Sequence, residues 1–193
     1  MGQHYADRFT VVLDANVLYP FWMRDALLRF HEAGLFRARW SDTIVDEWVR
    51  SLLARKPDRA ESVHRQVAAM RKHFDDSWVR GHETLIDGLA LPDPDDRHVL
   101  AAAIRCGAQH IVTRNLKDFS AEALAAFDVE AIDPDDFLCR TFELYPEAGI
   151  DAFRQMREDY RNPPFRPAEF LMELAAKGMP RLAARLKPDC ARI

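Results

Sequence analysis

Four acidic residues stand where a carboxylate can take part in chemistry: Asp14, Glu47, Asp96 and Asp118. Asp14 directly follows the apolar run from Phe9 to Leu13, which lacks polar alternation. Such a run is typical of a strand buried on both faces of a parallel sheet. In open α/β sheets, ligands bind just beyond the carboxyl ends of the strands. The position of Asp14 therefore predicts a functional site at that edge of the sheet.

The other acids can reach the same edge. Asp96 begins the helix that follows the turn-rich segment PDPDD, and Asn115 and Asp118 follow the predicted strand HIVT. Glu47 comes three residues after Ile44, which belongs to the apolar stripe of a predicted helix. Residues three apart are neighbours on a helix surface, so we expect the Glu47 carboxylate close to the buried side. A carboxylate in that position needs a partner.

Carboxylates brought together repel one another, and burying them unpaired is costly. A divalent cation compensates this charge, and ligands that are all oxygen atoms indicate Mg²⁺ or Mn²⁺. Such a metal can lower the pKa of a bound water and neutralise charge on a phosphate. The acids therefore predict the hydrolysis of a phosphodiester, with one or two metal ions.

The composition sets wider bounds. The chain has 193 residues, of which 48% are hydrophobic and 30% charged, and this suits one globular domain with a small appendage. Its net charge of −4 does not indicate a nucleic-acid binder, although local patches can still bind phosphates. The cysteines Cys106, Cys139 and Cys190 have neither zinc-site spacing nor a disulfide pattern. Without a signal peptide or an apolar stretch of ~20 residues, we expect a soluble, cytoplasmic protein with no membrane contact.

Strands and helices alternate over the first two thirds of the chain. The predicted strands are FTVVL, a short segment at Thr84 to Ile86, QHIVTRN and VEAID, and amphipathic helices separate them. This alternation predicts an α/β sandwich on a central parallel sheet. From about Pro134 the pattern is helical only, which predicts an all-helical C-terminal extension.

Four segments, VVLDANVL, SDTIVDEWVRSL, PDPDDRHVLAAAI and IVTRNLKDF, occur in this order. Together they resemble the PIN domain, the fold of VapC-type toxins of bacterial toxin–antitoxin pairs and of related metal-dependent ribonucleases. The similarity spans about Phe9 to Leu138. It implies a PIN-like α/β/α nuclease domain at residues 1–138, followed by the helical extension at 139–193. The RNPP segment of the extension resembles a subgroup of these toxins.

The resemblance implies that Asp14, Glu47 and Asp96 are the core catalytic and metal-binding acids. In the family a fourth acid follows the threonine of the last motif, where this chain has Asn115 and then Asp118. Either residue can complete the site. We favour Asp118 as the catalytic and metal-binding acid, with Asn115 as a polar helper.

Two further residues are assigned supporting roles. Asn16 either hydrogen-bonds the backbone of the next turn or orients the Asp14 carboxylate. The hydroxyl of Thr113, at a strand tip, can support a metal-bound acid or water.

Several neighbouring residues have structural explanations. Asp95 or Asp96 can cap the helix RHVLAAAI, and we assign the metal to Asp96 and expect Asp93 to be solvated. The histidines share no metal-ligand spacing, and we expect structural or exposed positions for them. The second and third helices carry a basic surplus that either forms a solvated face or guides a phosphate backbone; its members are Arg50, Arg55, Lys56, Arg59, Arg65, Arg71 and Lys72.

The sequence thus predicts a Mg²⁺-dependent (or Mn²⁺-dependent) endoribonuclease, and the resemblance implies the toxin of a type II toxin–antitoxin pair. Its expected partners are an RNA substrate and a protein antitoxin, and a homodimer stays open. One alternative is a catalytically inactive PIN-like module that binds RNA or protein, which the non-acidic Asn115 permits. Another is a nuclease that acts on flapped DNA.

Overall fold

The computed structural model describes residues 9–193. Its sheet has four parallel strands in the order β2-β1-β3-β4. The strands are β1 (Thr10–Leu13), β2 (Arg37–Arg39), β3 (His110–Val112) and β4 (Glu130–Ile132). Val11, Val12 and Leu13 are buried completely, as the apolar run predicts for a central strand. The predicted α/β fold on a central parallel sheet is confirmed.

Eleven α-helices lie within the described range. Those before the last strand are α1 (Ala15–Leu18), α2 (Phe21–Glu32), α3 (Asp42–Arg55), α4 (Ala60–His73), α5 (Glu83–Ile86), α6 (Arg97–Cys106) and α7 (Ala121–Leu124). The C-terminal ones are α8 (Pro134–Leu144), α9 (Pro146–Asp159), α10 (Pro167–Ala176) and α11 (Pro180–Leu186). The all-helical character of the C-terminal segment is therefore confirmed. None of the described helices is both long enough and apolar enough to cross a membrane.

Local sequence signals explain the two helices that matter most for the site. Helix α3 begins after Ser41, whose hydroxyl accepts a hydrogen bond from the Ile44 amide at 3.2 Å. Helix α6 ends at Gly107, which adopts a left-handed conformation with φ of 64°. Because glycine has no Cβ, it takes this conformation without strain and stops the helix cleanly.

The predicted strand at Thr84 to Ile86 is wrong. These residues belong to helix α5, and the His82 carbonyl accepts a hydrogen bond from the Leu85 amide at 3.0 Å. Three apolar or β-branched residues are too few to separate a strand from one helical turn. At the β2 end of the sheet, Trp78 forms a parallel bridge with Trp40, so another segment pairs there.

The chain divides into two compact units. The sheet unit comprises Phe9–Tyr19 and Arg37–Ile132, and it contains all four strands. The helical unit combines Pro20–Phe36, which holds α2, with Asp133–Ile193. Helix α2 packs on α9 in that unit, where the rings of Phe30 and Phe153 have centroids 5.1 Å apart. The boundary at residue 138 stays a prediction.

Candidate active site

The order of the sheet reverses between its two central strands. The chain passes from β1 to β2 on one side and from β3 to β4 on the other, so β1 and β3 are neighbours. Leu13 is in register with Val112, and the residues that follow them, Asp14 and Thr113, therefore lie side by side. The Asp14 amide donates to the Val112 carbonyl at 3.2 Å. This is the edge at which open α/β sheets bind ligands.

Asp14 is held by two side chains. It is 3% exposed, and its Oδ2 accepts hydrogen bonds from Thr113 Oγ1 at 2.6 Å and from Asn16 Nδ2 at 2.5 Å. Asn16 Nδ2 also donates to Thr113 Oγ1 at 2.9 Å, and Asn16 Oδ1 accepts from the Arg114 amide at 3.0 Å. Asn16 therefore both contacts the Asp14 carboxylate and ties the loop after β1 to the loop after β3.

Asp96 lies at the start of α6 without acting as its cap. Its side chain makes no capping hydrogen bond, whereas the Asp93 side chain accepts from the Asp95 amide at 2.9 Å. Asn115 Nδ2 donates to Asp96 Oδ2 at 3.1 Å, and the Asn115 amide donates to Thr113 Oγ1 at 3.0 Å. The Asp96 carboxylate is thus directed at the loop after β3 instead of at its own helix.

Asp93, Asp96 and Asp118 form an acidic group. Each offers one carboxylate oxygen, and these oxygens all lie within 4.8 Å of one another. The expectation that Asp93 is simply solvated is wrong, because this side chain is half-buried within the group. Asp93 and Asp96 are three residues apart, and the fold of the sheet brings Asp118 to them from the loop after β3.

Glu47 approaches the same region from α3. Its side chain is 45% exposed, and its Oε2 lies 3.4 Å from Nε2 of His98, which is on α6. The negative charge of Glu47 also contributes to the raised pKa of both Asp14 and Asp96. Helices α3 and α6 pack against each other, and this packing brings Glu47 to the acids at the sheet edge.

Burial and mutual repulsion raise the pKa values of two of the acids, Asp14 and Asp96. Burial raises the pKa of Asp14, the Thr113 hydrogen bond opposes this increase, and the Glu47 charge adds to it. Burial also raises the pKa of Asp96 to about 6, with further contributions from the charges of Asp14, Asp93, Asp118 and Glu47. Among residues 9–193, the ion-pair contacts of these acids are His98 with Glu47 and Lys117 with Asp118 at 4.0 Å. The acids therefore outnumber the cations that face them.

The donor set fits a hard divalent cation. Asp14, Glu47, Asp96 and Asp118 offer carboxylate oxygens, and oxygen ligands are those that Mg²⁺ and Mn²⁺ prefer. A cation would relieve the repulsion that raises the pKa of Asp96. The residues present are thus suited to the metal that the sequence predicts.

Sequence reasoning missed two residues of this site. Asp93 carried a signal, because it precedes Asp96 by three positions in a turn that can fold the two side chains together. His98 carried none, since its contact with Glu47 depends on how α3 and α6 pack.

Three of the seven cations in the basic surplus around α3 and α4 contact acids of the same region. Arg71 contacts Asp42, Arg65 contacts Glu61 at 2.5 Å, and Arg59 contacts Asp58 at 3.6 Å. Two other cations, Arg114 and Lys117, are exposed on the loop that follows β3. That loop also carries Asn115 and Asp118 of the site.

The fold and its acidic edge define the class of protein to which the chain belongs. The family model of the PIN domain matches residues 10–117, and the chain is a member of the PIN domain family. The model of the VapC50 C-terminal domain matches residues 134–188, which lie within the helical unit.

A relative of known name that the chain resembles is the Mycobacterium tuberculosis (strain ATCC 25618 / H37Rv) protein "Putative ribonuclease VapC50". The chain is 42% identical to it over 92 residues, which make up 48% of this chain and 54% of the relative. The chain thus matches about half the length of that curated relative. No solved structure matches the chain.

Proposed function

We propose that the chain is a metal-dependent endoribonuclease and the toxin of a type II toxin–antitoxin pair. The observation that carries this proposal is the convergence of carboxylates at the switch point of the sheet, where burial and the charges of the neighbouring acids together raise the pKa of Asp96 to about 6. Acids arranged against one another in this way destabilise the metal-free protein, so a cation is their natural counterpart. PIN domain membership and the printed name of the relative support the reaction class.

In this proposal Asp14, Glu47, Asp96 and Asp118 are the catalytic acids and hold Mg²⁺ or Mn²⁺. When bound, the cation supplies acidification of a water and neutralisation of charge on the phosphate. Asp93 adds negative charge beside Asp96 and Asp118.

The remaining polar residues keep these acids in place. Thr113 and Asn16 donate to the same oxygen of Asp14, Oδ2, and so fix its rotamer. We assign Asn115 a supporting role and the fourth acidic position to Asp118; the hydrogen bond that Asn115 donates to Asp96 Oδ2 supports this assignment. Donors that hold a carboxylate in one orientation lower the reorganisation needed when it binds a ligand.

The RNA strand needs cations beside the acidic edge, because its phosphates are repelled by the carboxylates. Arg114 and Lys117 are exposed on the loop that carries Asn115 and Asp118, and we assign them phosphate contacts. Phosphate contacts of this kind position a strand without reading its sequence. We further propose the nuclease domain at 1–138, the helical extension at 139–193, and a protein antitoxin as partner.

The test is cleavage of structured RNA by the purified full chain, with Mg²⁺ or Mn²⁺ and with EDTA. We expect cleavage that requires the metal and that Asp14→Asn abolishes. The matched control is Asp25→Asn, an acid of the helical unit whose Oδ1 and Oδ2 accept from Arg29 and Tyr160. Cleavage that persists in EDTA and in the Asp14 variant would contradict the proposal.

Two further arms separate the alternatives. Equal concentrations of RNA, single-stranded DNA and flapped DNA decide the substrate class, and preferential cleavage of the flap overturns the assignment to RNA. Calorimetric titration of the wild-type chain with Mn²⁺ decides between an enzyme and a binding module. Absence of Mn²⁺ binding at millimolar concentration favours the module.

A further inference from the structure

Two basic residues contact the acids of the site within the described part of the chain: Lys117 contacts Asp118 and His98 contacts Glu47. Of the two, His98 is the one from a helix. It is the second residue of α6 and lies two positions after Asp96. Its Nε2 is 3.4 Å from Glu47 Oε2, and its charge also acts on Asp14. The ring therefore contacts a long acid from α3 and is close enough to a buried acid after β1 to act on its charge.

The acids of the site differ in how they are held. Asp14 receives hydrogen bonds from Thr113 and Asn16, and Asp96 receives one from Asn115. Glu47 has a longer side chain that is 45% exposed, and within residues 9–193 its side-chain contact is the His98 ring. Ordering a free glutamate side chain costs rotamer entropy. Without His98, Glu47 is free to turn into solvent.

The His98 ring is itself well fixed. Its side chain is 12% exposed, and its Nδ1 is buried with no hydrogen-bond partner in the described part of the chain. Helix α5 packs on α6, and the adjoining His82 is 2% exposed and close enough to interact electrostatically with His98. A ring confined in this way offers Glu47 a contact at a constant position.

We propose that His98 is a positioning residue that holds the Glu47 carboxylate toward the acids at the sheet edge, in the orientation that receives a divalent cation. This inference rests on the proposed function, because it assigns His98 a role in metal binding. It requires that the effect of His98 on metal binding pass through Glu47, and that the action of its charge on Asp14 contribute little to that effect.

The test is calorimetric titration of the metal-free full chain with Mn²⁺. We expect His98→Ala to weaken Mn²⁺ binding about tenfold, which is the loss that removal of a residue supporting a metal ligand commonly produces. In a Glu47→Gln background, the same His98→Ala change should alter the dissociation constant less than about twofold, because the carboxylate through which it acts is gone. The matched control is His110→Ala, a half-buried histidine at the start of β3, which should leave Mn²⁺ binding unchanged.

Two isosteric variants keep the test valid if the alanine variant does not fold. Gln places an amide nitrogen near the position of histidine Nε2, and Asn places one near Nδ1. Since Nε2 is the atom that faces Glu47, His98→Gln should bind Mn²⁺ within about threefold of wild type and His98→Asn about tenfold more weakly.

Three outcomes overturn the inference while the wild-type chain still binds Mn²⁺. They are wild-type affinity in His98→Ala, equal affinities of the Gln and Asn variants, and a His98→Ala effect that persists in the Glu47→Gln background. Absence of Mn²⁺ binding by the wild-type chain is a different result, because it contradicts the proposed function itself.

Discussion

Buried acids occur in both units of the molecule, but they are used differently. In the helical unit, Asp135 is 5% exposed, and its two oxygens accept from the Arg181 amide at 2.8 Å and the Leu182 amide at 3.0 Å. In the sheet unit, Asp96 faces Asp14, Asp93 and Asp118, and these like charges contribute to its raised pKa. The first arrangement satisfies a carboxylate, and the second sets carboxylates against one another.

The difference teaches how to separate structural acids from functional ones. An acid that accepts backbone amides at the start of a helix, as Asp135 does for α11, stabilises the fold. An acid that is buried among other acids costs stability and is retained where it binds a ligand. Burial alone therefore does not identify a site, whereas the chemistry of the surrounding groups does.

The largest effect that tests this comparison is on activity. Asp96→Asn should lower the rate of RNA cleavage about 10³-fold, since a metal centre contributes several kcal/mol to the stabilisation of transition-state charge. The measurement is the initial rate with Mg²⁺ in excess. Asp135→Asn, read on the folded fraction, should retain the wild-type rate. Similar losses in both variants would mean that the two kinds of acid do not differ.

The next effect is on stability, and it concerns the structural acid of the helical unit, Asp135. Asp135→Ala should lower the free energy of unfolding by about 2 kcal/mol, because it leaves the Arg181 and Leu182 amides of α11 without their acceptor. Urea unfolding monitored by circular dichroism measures it. The control is Asp136→Ala, which removes a more exposed ion pair with Arg181 and should therefore lower the free energy of unfolding less than Asp135→Ala does.

A smaller effect concerns the metal-free protein and its dependence on pH. The pKa of Asp96 in the folded chain is about 6, above the ordinary value of 3.8. The folded state therefore holds a proton that the unfolded state releases, and stability falls as pH rises from about 4 to about 6. Asp96→Asn removes this loss, so in EDTA its Tm should exceed that of wild type by ~2–4 °C at pH 7.5.

The comparison of Asp96→Asn with wild type also has a control at low pH and an outcome that would contradict the prediction. At about pH 3 and below, where Asp96 is protonated in both states, the difference in Tm between Asp96→Asn and wild type should disappear. A Tm for Asp96→Asn that lies below the wild-type value at pH 7.5 would show that Asp96 is a structural acid like Asp135.

The smallest effect concerns the cations of the sheet unit. Arg114→Ala and Lys117→Ala should each reduce the salt dependence of RNA binding by about 0.7 in the slope of log K against log[salt], the value for one lost phosphate contact on a single strand. Fluorescence anisotropy in EDTA measures binding without cleavage. Arg65→Ala is the control, because Arg65 is paired with Glu61 on α4. A slope change in Arg65→Ala as large as in the loop variants would refute the assignment.

Much of the architecture follows from local sequence. The apolar run before Asp14 indicates a central strand, Ser41 marks the start of α3, and Gly107 ends α6. These signals are short in range, since they depend on side-chain burial, one hydrogen bond to a helix amide and one backbone conformation. The segment at Thr84 to Ile86 was predicted wrongly because three residues carry too little periodicity.

The candidate acids were also visible in the sequence, because Asp14, Asp96 and Asp118 each follow or precede a recognisable strand or helix. Asn115 was predicted as a polar helper, but its hydrogen bond to Asp96 was not visible in the sequence. Nor was the place of Asp93 in a group of carboxylate oxygens within 4.8 Å of one another. Only the parallel register of β1 and β3 decides that Asp14 and Thr113 are adjacent. Only the packing of α3 on α6 places His98 against Glu47.

The sequence alone determined which residues can carry charge to the sheet edge. The tertiary structure decided which of them meet, because distances across strands and helices are not encoded in local patterns.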